Sequence, residues 1–117
     1  MDKETAVTMF MQAFFGSTAS AEHRTLVEGS SRLIKTGKKQ LLFNEGDEGT
    51  EIYFLANGKV KLFRATEDGK EAVIRLIETG EYFAEILLQL KHRYPVSAIA
   101  LEESELLAID AQKILSH

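Results

Sequence analysis

The residues that most often carry enzyme or metal chemistry are present, but their spacing does not suit such chemistry. The three histidines, His23, His92 and His117, lie far apart and in no metal-binding pattern such as H-x-H or H-E-x-x-H. No serine lies in a G-x-S-x-G context. The chain has no cysteine, which excludes disulfides, thiolate zinc sites, iron–sulfur clusters and cysteine nucleophiles. We therefore expect no enzyme, and we assign neither a catalytic residue nor a metal site.

One segment, Gly80 to Leu88, has the character of an anion site. It leaves a predicted strand, turns at Gly80 and continues as a short helical stretch in which Glu85 is set among apolar residues. The first N–H groups of such a helix are free to bind an anion. In the alternative interpretation Glu85 is exposed or caps a neighbouring amide, and the spacing alone favours that alternative.

The N-terminal part of the chain is predicted to be helical. An apolar stripe with helical spacing covers one face of the first helix and is expected to serve packing; it comprises Val7, Phe10, Met11, Phe14 and Phe15. Gly16 is expected to end this helix, and Ser20 is expected to cap a second helix that ends before Gly29. Leu26 and Val27 are the predicted buried pair of that second helix.

The rest of the chain is predicted to form about seven or eight short strands. Asn57-Gly58 lies between two apolar runs, the strongest short-range indication of a hairpin, and a second turn falls at residues 67–70. Further strands are predicted over 72–77, 96–101 and 106–109, the last one after a charged turn at 102–105. Asp110 is then expected to cap a helix beginning at Ala111. Many short antiparallel strands indicate a barrel or jelly roll.

Length and composition restrict the function further. The chain has 117 residues, of which 44% are hydrophobic and 27% charged, and this is typical of a single folded domain. No apolar run approaches the roughly 20 residues that span a bilayer, so no membrane partner is expected. The first fifteen residues lack the pattern of a secretory signal. The net charge of −4 argues against direct binding of nucleic acid.

The stretch from Leu41 to Ile109 resembles the effector domain of the CRP/FNR superfamily of bacterial transcription regulators, which has the cyclic-nucleotide-binding fold. The motifs that carry the resemblance are Phe43-Asn44-Glu45-Gly46-Asp47, Ile52 to Leu55, Asn57 to Leu62, Gly69-Lys70-Glu71, Gly80 to Glu85, and Ala100 to Leu107. The resemblance implies a mainly β jelly-roll barrel of about eight antiparallel strands. Its corners are expected at glycines that adopt positive φ, namely Gly46, Gly58, Gly69 and Gly80.

The resemblance also predicts the division of the chain. Residues 1–36 are expected to form an N-terminal helical segment and the first strand, and residues 37–110 the jelly-roll barrel. Residues 111–117 are expected to begin a dimerisation helix. A helix-turn-helix domain would follow in the parent protein and is absent from this chain, so contact with DNA is expected only through that domain. The parent is expected to be a cytoplasmic homodimer that responds to a small-molecule effector.

The positions of the ligand-binding cassette depart from the family pattern. Nucleotide-binding members have a Gly-Glu pair for the backbone approach and the ribose hydroxyl, and an arginine followed by Ser/Thr and Ala for the phosphate. Here Glu85 is kept, Ala84 replaces the glycine, Tyr94 replaces the arginine, and Pro95 has no N–H to donate. Cyclic AMP is therefore not the expected effector. The predicted effector pocket comprises Gly80, Phe83, Ala84, Glu85, Ile86, Tyr94, Pro95, Val96 and Ser97. A register slip of one residue would instead place Arg93 at the arginine position.

The run from Arg93 to Ala98 resembles the haem-associated, nitric-oxide-responsive branch of the superfamily. Haem is accordingly the candidate cofactor, with a histidine or methionine as axial ligand. The candidate ligands are Met9, Met11, His23 and His92, and spacing does not distinguish among them. The alternatives are a small organic effector, such as an aromatic compound or an oxo-acid, a retained cyclic-nucleotide site, and an interaction module without a ligand.

Overall fold

The computed structural model describes residues 1–84 and 93–115. The helices are α1 (Lys3–Phe14), α2 (Ala21–Ser30) and α3 (Ala111–Leu115), with a 3₁₀ turn at Gly16–Thr18 between the first two. The strands are β1 (Ser31–Thr36), β2 (Leu41–Phe43), β3 (Glu51–Asn57), β4 (Lys59–Ala65), β5 (Glu71–Glu78), β6 (Tyr82–Phe83), β7 (Ser97–Ala100) and β8 (Ser104–Asp110). None of the described helices has the length and apolar character needed to cross a bilayer.

Side chains at the helix ends explain where α1 and α2 begin and end. Ser20 caps α2 as predicted, because its hydroxyl accepts the His23 N–H at 3.1 Å. The prediction that Gly29 follows α2 is wrong, since the helix continues to Ser30. The hydroxyls of Ser30 and Ser31 donate to the carbonyls of Leu26 and Val27 at 2.6 and 2.5 Å. These bonds satisfy the last turn without a glycine.

The eight strands form two four-stranded antiparallel sheets, in agreement with the predicted mainly β jelly roll. The first sheet has the order β1-β8-β3-β6 and the second the order β2-β7-β4-β5. β8 is central in the first sheet, where Leu106 pairs with Ile34 on one side and with Leu55 on the other. In the second sheet β4 lies between β5 and β7.

The Asn57-Gly58 pair does not form the predicted hairpin, because β3 and β4 belong to different sheets. Gly58 is instead the corner at which the chain crosses from one sheet to the other. Its φ is 120°, and a Cβ there would lie 2.1 Å from Ser104 Oγ, so only glycine fits. The strand β8 also begins earlier than predicted, at Ser104, whose buried hydroxyl accepts the Lys59 N–H. The turn at residues 67–70 is the hairpin that connects β4 and β5.

Two apolar clusters occupy the two faces of the first sheet. The inter-sheet core lies between the sheets and contains Phe43, Tyr53, Leu55, Val60, Leu62, Ile77, Phe83, Tyr94, Ala98, Leu106 and Ala108. The helix-side cluster packs α1 and α2 on the outer face and contains Ala6, Val7, Phe10, Met11, Val27, Ile52, Phe54, Ala56, Leu107, Ile109 and Ala111. β3 is therefore buried on both faces, which explains its unbroken apolar run.

The helix α3 is attached directly to the first sheet. It begins at Ala111 as predicted, and Asp110 Oδ1 accepts the Gln112 N–H at 3.0 Å. The Ala111 N–H donates to the Thr50 carbonyl at 2.7 Å, and Ala111 itself is buried. The first turn of α3 is thus fixed to the residue that precedes β3.

Candidate functional site

A pocket of about 240 Å³ opens between the two sheets, next to the inter-sheet core. Five of the nine predicted effector positions line it: Phe83, Ala84, Tyr94, Pro95 and Val96. Four further residues that the sequence did not identify complete the described wall: Phe43, Leu62, Ile74 and Arg75. We call this cavity the inter-sheet pocket. Its lining is mostly apolar, as expected of a cavity at the edge of a hydrophobic core.

Tyr94 forms part of the wall of the inter-sheet pocket and is held on several sides. Its ring is 5% exposed and stacks on Phe43, with ring centroids 3.8 Å apart and planes at 12°. Its hydroxyl donates to the Glu51 carbonyl at 3.2 Å. Burial, with the neighbouring Tyr53 side chain as the second cause, raises the pKa of the Tyr94 hydroxyl far above its ordinary value. Tyr94 is therefore a neutral, inward-facing side chain.

Gly49 makes room for this ring. A Cβ on Gly49 would lie 2.3 Å from the Tyr94 ring, closer than real side chains approach. The backbone of Tyr94 is also held, because its N–H donates to the Asp47 carbonyl at 3.0 Å and its carbonyl accepts the Gly46 N–H at 2.8 Å. The turn before β3 and the segment before β7 thus fix the Tyr94 ring between them.

Arg93 points away from the pocket. Its guanidinium donates to the Gly46 carbonyl at 2.8 Å and to Glu48 Oε1 at 3.1 Å, on an exposed surface. A cation at this position cannot face a ligand between the sheets. Of these two neighbouring residues, Tyr94 lines the inter-sheet pocket and Arg93 does not.

Arg75 is the one charged side chain among the described residues that line the inter-sheet pocket. Its guanidinium donates to Glu81 Oε2 at 3.0 Å. The Glu78 backbone N–H and Arg75 both donate to this carboxylate, and they hold the pKa of Glu81 below its ordinary value. The charge of Arg75 is thus already balanced by an ionised partner.

Ala84 has an unusual backbone conformation. Its φ is 68°, in the left-handed region where a Cβ is unfavourable. The chain therefore keeps a glycine-like backbone at this position although it has an alanine there.

The other predicted effector positions are not among the residues that line the pocket. Gly80 forms a corner outside it, and the Ser97 hydroxyl accepts the Glu45 N–H at 2.8 Å. Glu85, Ile86 and His92 lie outside the described residues.

A second cavity, of about 610 Å³, lies beside α1 and contains two of the candidate haem ligands. Met9 and Met11 line it together with Arg24, Phe54 and Gly80, among others, and we call it the helix-side cavity. His23 lies on α2, where its ring stacks on Phe15 at 4.2 Å and its Nδ1 is buried without a hydrogen-bond partner. Within residues 1–84 and 93–115, no group of three histidine or carboxylate side chains converges to hold a metal ion.

Residues 33–116 match the sequence profile of the cyclic nucleotide-binding domain. The chain belongs to this family. It is 39% identical over 85 residues to the cyclic AMP receptor protein of Thermus thermophilus, a match that covers 73% of this chain and 38% of that protein. It is 31% identical over 96 residues to the anaerobic regulatory protein of Bacillus subtilis, covering 81% of this chain and 40% of that protein. The chain thus spans about two-fifths of the length of these relatives.

Solved structures of the family agree with the fold. DNR of Pseudomonas aeruginosa superposes with a TM-score of 0.87 at 24% identity, over 99% of this chain and 52% of that chain. The catabolite activator protein of Thermus thermophilus superposes with a TM-score of 0.75 at 31% identity, over 89% and 48% of the two chains. The predicted membership of the CRP/FNR superfamily is confirmed.

The pocket residues that sequence reasoning missed belong to strands outside the cassette motif. The alternating residues of β4 bury Val60 and Leu62 on one face, so this alternation is a signal that could have placed Leu62 in the interior. Phe43 lies in the first family motif, but nothing in the sequence pairs it with Tyr94. Arg75 could not be found from periodicity, because a bulge between Leu62 and Phe63 shifts the register of β5.

Replacement of Ala84 by glycine tests the strained backbone. We expect Ala84→Gly to raise the free energy of unfolding by about 0.5–1 kcal/mol, since relief of the left-handed alanine outweighs the entropy of glycine. Ala72→Gly, in the ordinary strand β5, is the matched control and should lower it by about 0.5–1 kcal/mol. Urea denaturation of both variants measures the difference. Equal destabilisation by the two substitutions would contradict the assigned backbone of Ala84.

Proposed function

We propose that this chain is the ligand-sensing domain of a CRP/FNR-type transcription regulator whose effector is not a cyclic nucleotide. The observation that carries the proposal is the position of Tyr94. Its buried ring, stacked on Phe43, stands where nucleotide-binding relatives have an arginine for the cyclic phosphate. A phosphate brought to this position would meet a neutral ring and lose its hydration without a cation to replace it.

Two neighbouring features support the exclusion of a cyclic nucleotide. Pro95, the next residue, has no N–H to donate to a phosphate oxygen. The only charged side chain among the described lining residues, Arg75, is engaged by Glu81. Along its described wall, the inter-sheet pocket therefore offers a cyclic phosphate no unpaired cation, and no backbone donor at Pro95.

The pocket is connected to α3 through Tyr94. The Tyr94 hydroxyl donates to the carbonyl of Glu51, the first residue of β3. Glu51 pairs with Asp110, and Thr50 accepts the N–H of Ala111, at the start of α3. A ligand that moves the Tyr94 ring would thus act on the N-terminal end of α3. It can control the regulator only by binding one arrangement of that helix more tightly than the other.

We propose that this chain is part of a longer regulator with a sensing region, a dimerisation helix and a DNA-binding domain. Residues 1–36 would be its N-terminal segment, residues 37–110 its sensing barrel, and residues 111–117 the start of its dimerisation helix. A helix-turn-helix domain beyond this chain would read DNA in a cytoplasmic homodimer, and the effector would reorient its two copies. The sequence similarity to two regulators more than twice as long as the aligned region supports this arrangement.

Haem, with nitric oxide as its ligand, is the effector that the sequence resemblance implies. The inter-sheet pocket does not fit haem, because neither histidine nor methionine is among its described lining residues. The helix-side cavity fits better, since it offers the thioethers of Met9 and Met11 and the apolar wall of Phe54. Arg24 also lines it, but its guanidinium is paired with Glu28 at 2.9 Å. When bound there, haem would supply an iron that takes up nitric oxide.

A small organic effector is the second candidate. The observation that favours it is the inter-sheet pocket itself, which is open to a ligand and which Tyr94 connects to α3. An interaction module without a ligand has no such support, because a barrel that serves only for packing needs no pocket next to its core.

Calorimetric titration with cyclic AMP and cyclic GMP tests the proposed function. We expect no saturable binding by the wild-type chain at millimolar nucleotide, while the Thermus thermophilus cyclic AMP receptor protein serves as the positive control. The double variant Tyr94→Arg, Pro95→Ser restores a cation and a backbone donor, and it should show saturable binding of cyclic AMP over the concentration range in which the wild type shows none. Saturable one-to-one binding by the wild type would refute the proposal.

Titration with haem tests the candidate cofactor. We expect a shifted Soret band that saturates at one haem per chain and is lost in Met9→Leu or Met11→Leu, because leucine preserves the volume but cannot bind iron. His23→Gln and His92→Gln are the comparison variants and should keep the band. A wild-type spectrum that equals the sum of free haem and protein would exclude haem as the effector.

A further inference from the structure

We propose that the inter-sheet pocket binds a small, uncharged aromatic compound of one or two fused rings. This inference rests on the proposed function, because it names the ligand class of the same sensing domain. Three properties support it: the volume of the pocket, the pairing of its one described charged side chain with Glu81, and the aromatic rings in its described wall.

The volume limits the size of the ligand. An apolar cavity of about 150 Å³ is large enough to bind benzene. At about 240 Å³, the inter-sheet pocket has room for one ring with substituents or for two fused rings. A nucleotide, with its base, sugar and phosphate, is larger than either of these.

The charge of the wall selects against ions. Arg75 already donates to Glu81, whose other oxygen accepts the Glu78 N–H at 2.7 Å. A ligand carboxylate would have to compete with this ionised and hydrogen-bonded side chain for the same guanidinium. A ligand cation would face the like charge of Arg75. An uncharged ligand leaves the pair intact and avoids the cost of burying an ion.

The aromatic surface gives the ligand its shape. Phe43 and Tyr94 are stacked with their planes at 12°, and Phe83 stacks on Tyr53 at a centroid distance of 5.5 Å. Three of these four rings line the pocket. Their faces and edges offer a planar ligand the offset or edge-on contacts that aromatic groups prefer. The Tyr94 hydroxyl is taken up by Glu51, so recognition through ring contacts needs no donor from it.

Titration with indole, followed by NMR spectra of the wild-type chain, tests this inference. We expect saturable one-to-one shifts and intermolecular NOEs from indole to Phe83 and Val96. Indole-3-carboxylate, which adds a charge to the same two rings, should bind roughly tenfold or more weakly. Shifts that centre on Met9 and Met11 in the helix-side cavity, absence of saturable binding, or equal affinity for the two compounds would overturn the inference.

A pair of variants locates the site independently. Val96→Phe fills the pocket, and we expect it to weaken indole binding at least tenfold. Val73→Phe makes the same change at a residue of β5 that is 56% exposed and does not line the pocket, so it should leave binding unchanged. Equal affinity of both variants and the wild type would contradict the assignment. Where Val96→Phe does not fold, the NOEs of the wild type decide.

The outcome is separable from that of the proposed function. Saturable binding of cyclic AMP would refute the proposed function whatever indole does. Failure of both cyclic AMP and indole to bind would refute the aromatic ligand alone and would leave the exclusion of a cyclic nucleotide in place.

Discussion

The stacking of Tyr94 on Phe43 is the contact on which the interior of this domain depends. The ring lies against Gly49, where no side chain could be added, and its hydroxyl is bonded to the Glu51 carbonyl. A neutral aromatic side chain thus occupies this part of the space between the sheets. The pocket that remains is small and apolar because this ring is part of its wall.

The strand β3 relates the pocket to the rest of the fold. One face of β3 contributes Tyr53 and Leu55 to the inter-sheet core, while the other contributes Ile52 and Phe54 to the helix-side cluster. Its first residue, Glu51, meets both the Tyr94 hydroxyl and the residue that precedes α3. In the function proposed above, a change in the pocket would reach the start of α3 through this end of β3.

The sequence predicts those local features of the fold that depend on the type of a single residue. The Ser20 cap and the positive φ at Gly58 follow from residue type. The partner of each strand does not follow from residue type. The Asn57-Gly58 pair predicts a hairpin, because a turn pattern does not reveal that the flanking strands pair with other strands. The family motif located Tyr94, but its partners Phe43 and Gly49 lie 51 and 45 positions earlier in the chain, and periodicity cannot predict such contacts.

The placement of the Tyr94 ring is the central claim, and an NOE measurement on the unliganded chain tests it most directly. We expect strong NOEs from the Tyr94 ring protons to the Hα protons of Gly49 and to the ring of Phe43, since a Cβ on Gly49 would lie 2.3 Å from that ring. A Tyr94 ring without these NOEs, in a chain whose Arg93 shows NOEs to Phe43 or Phe83, would contradict it.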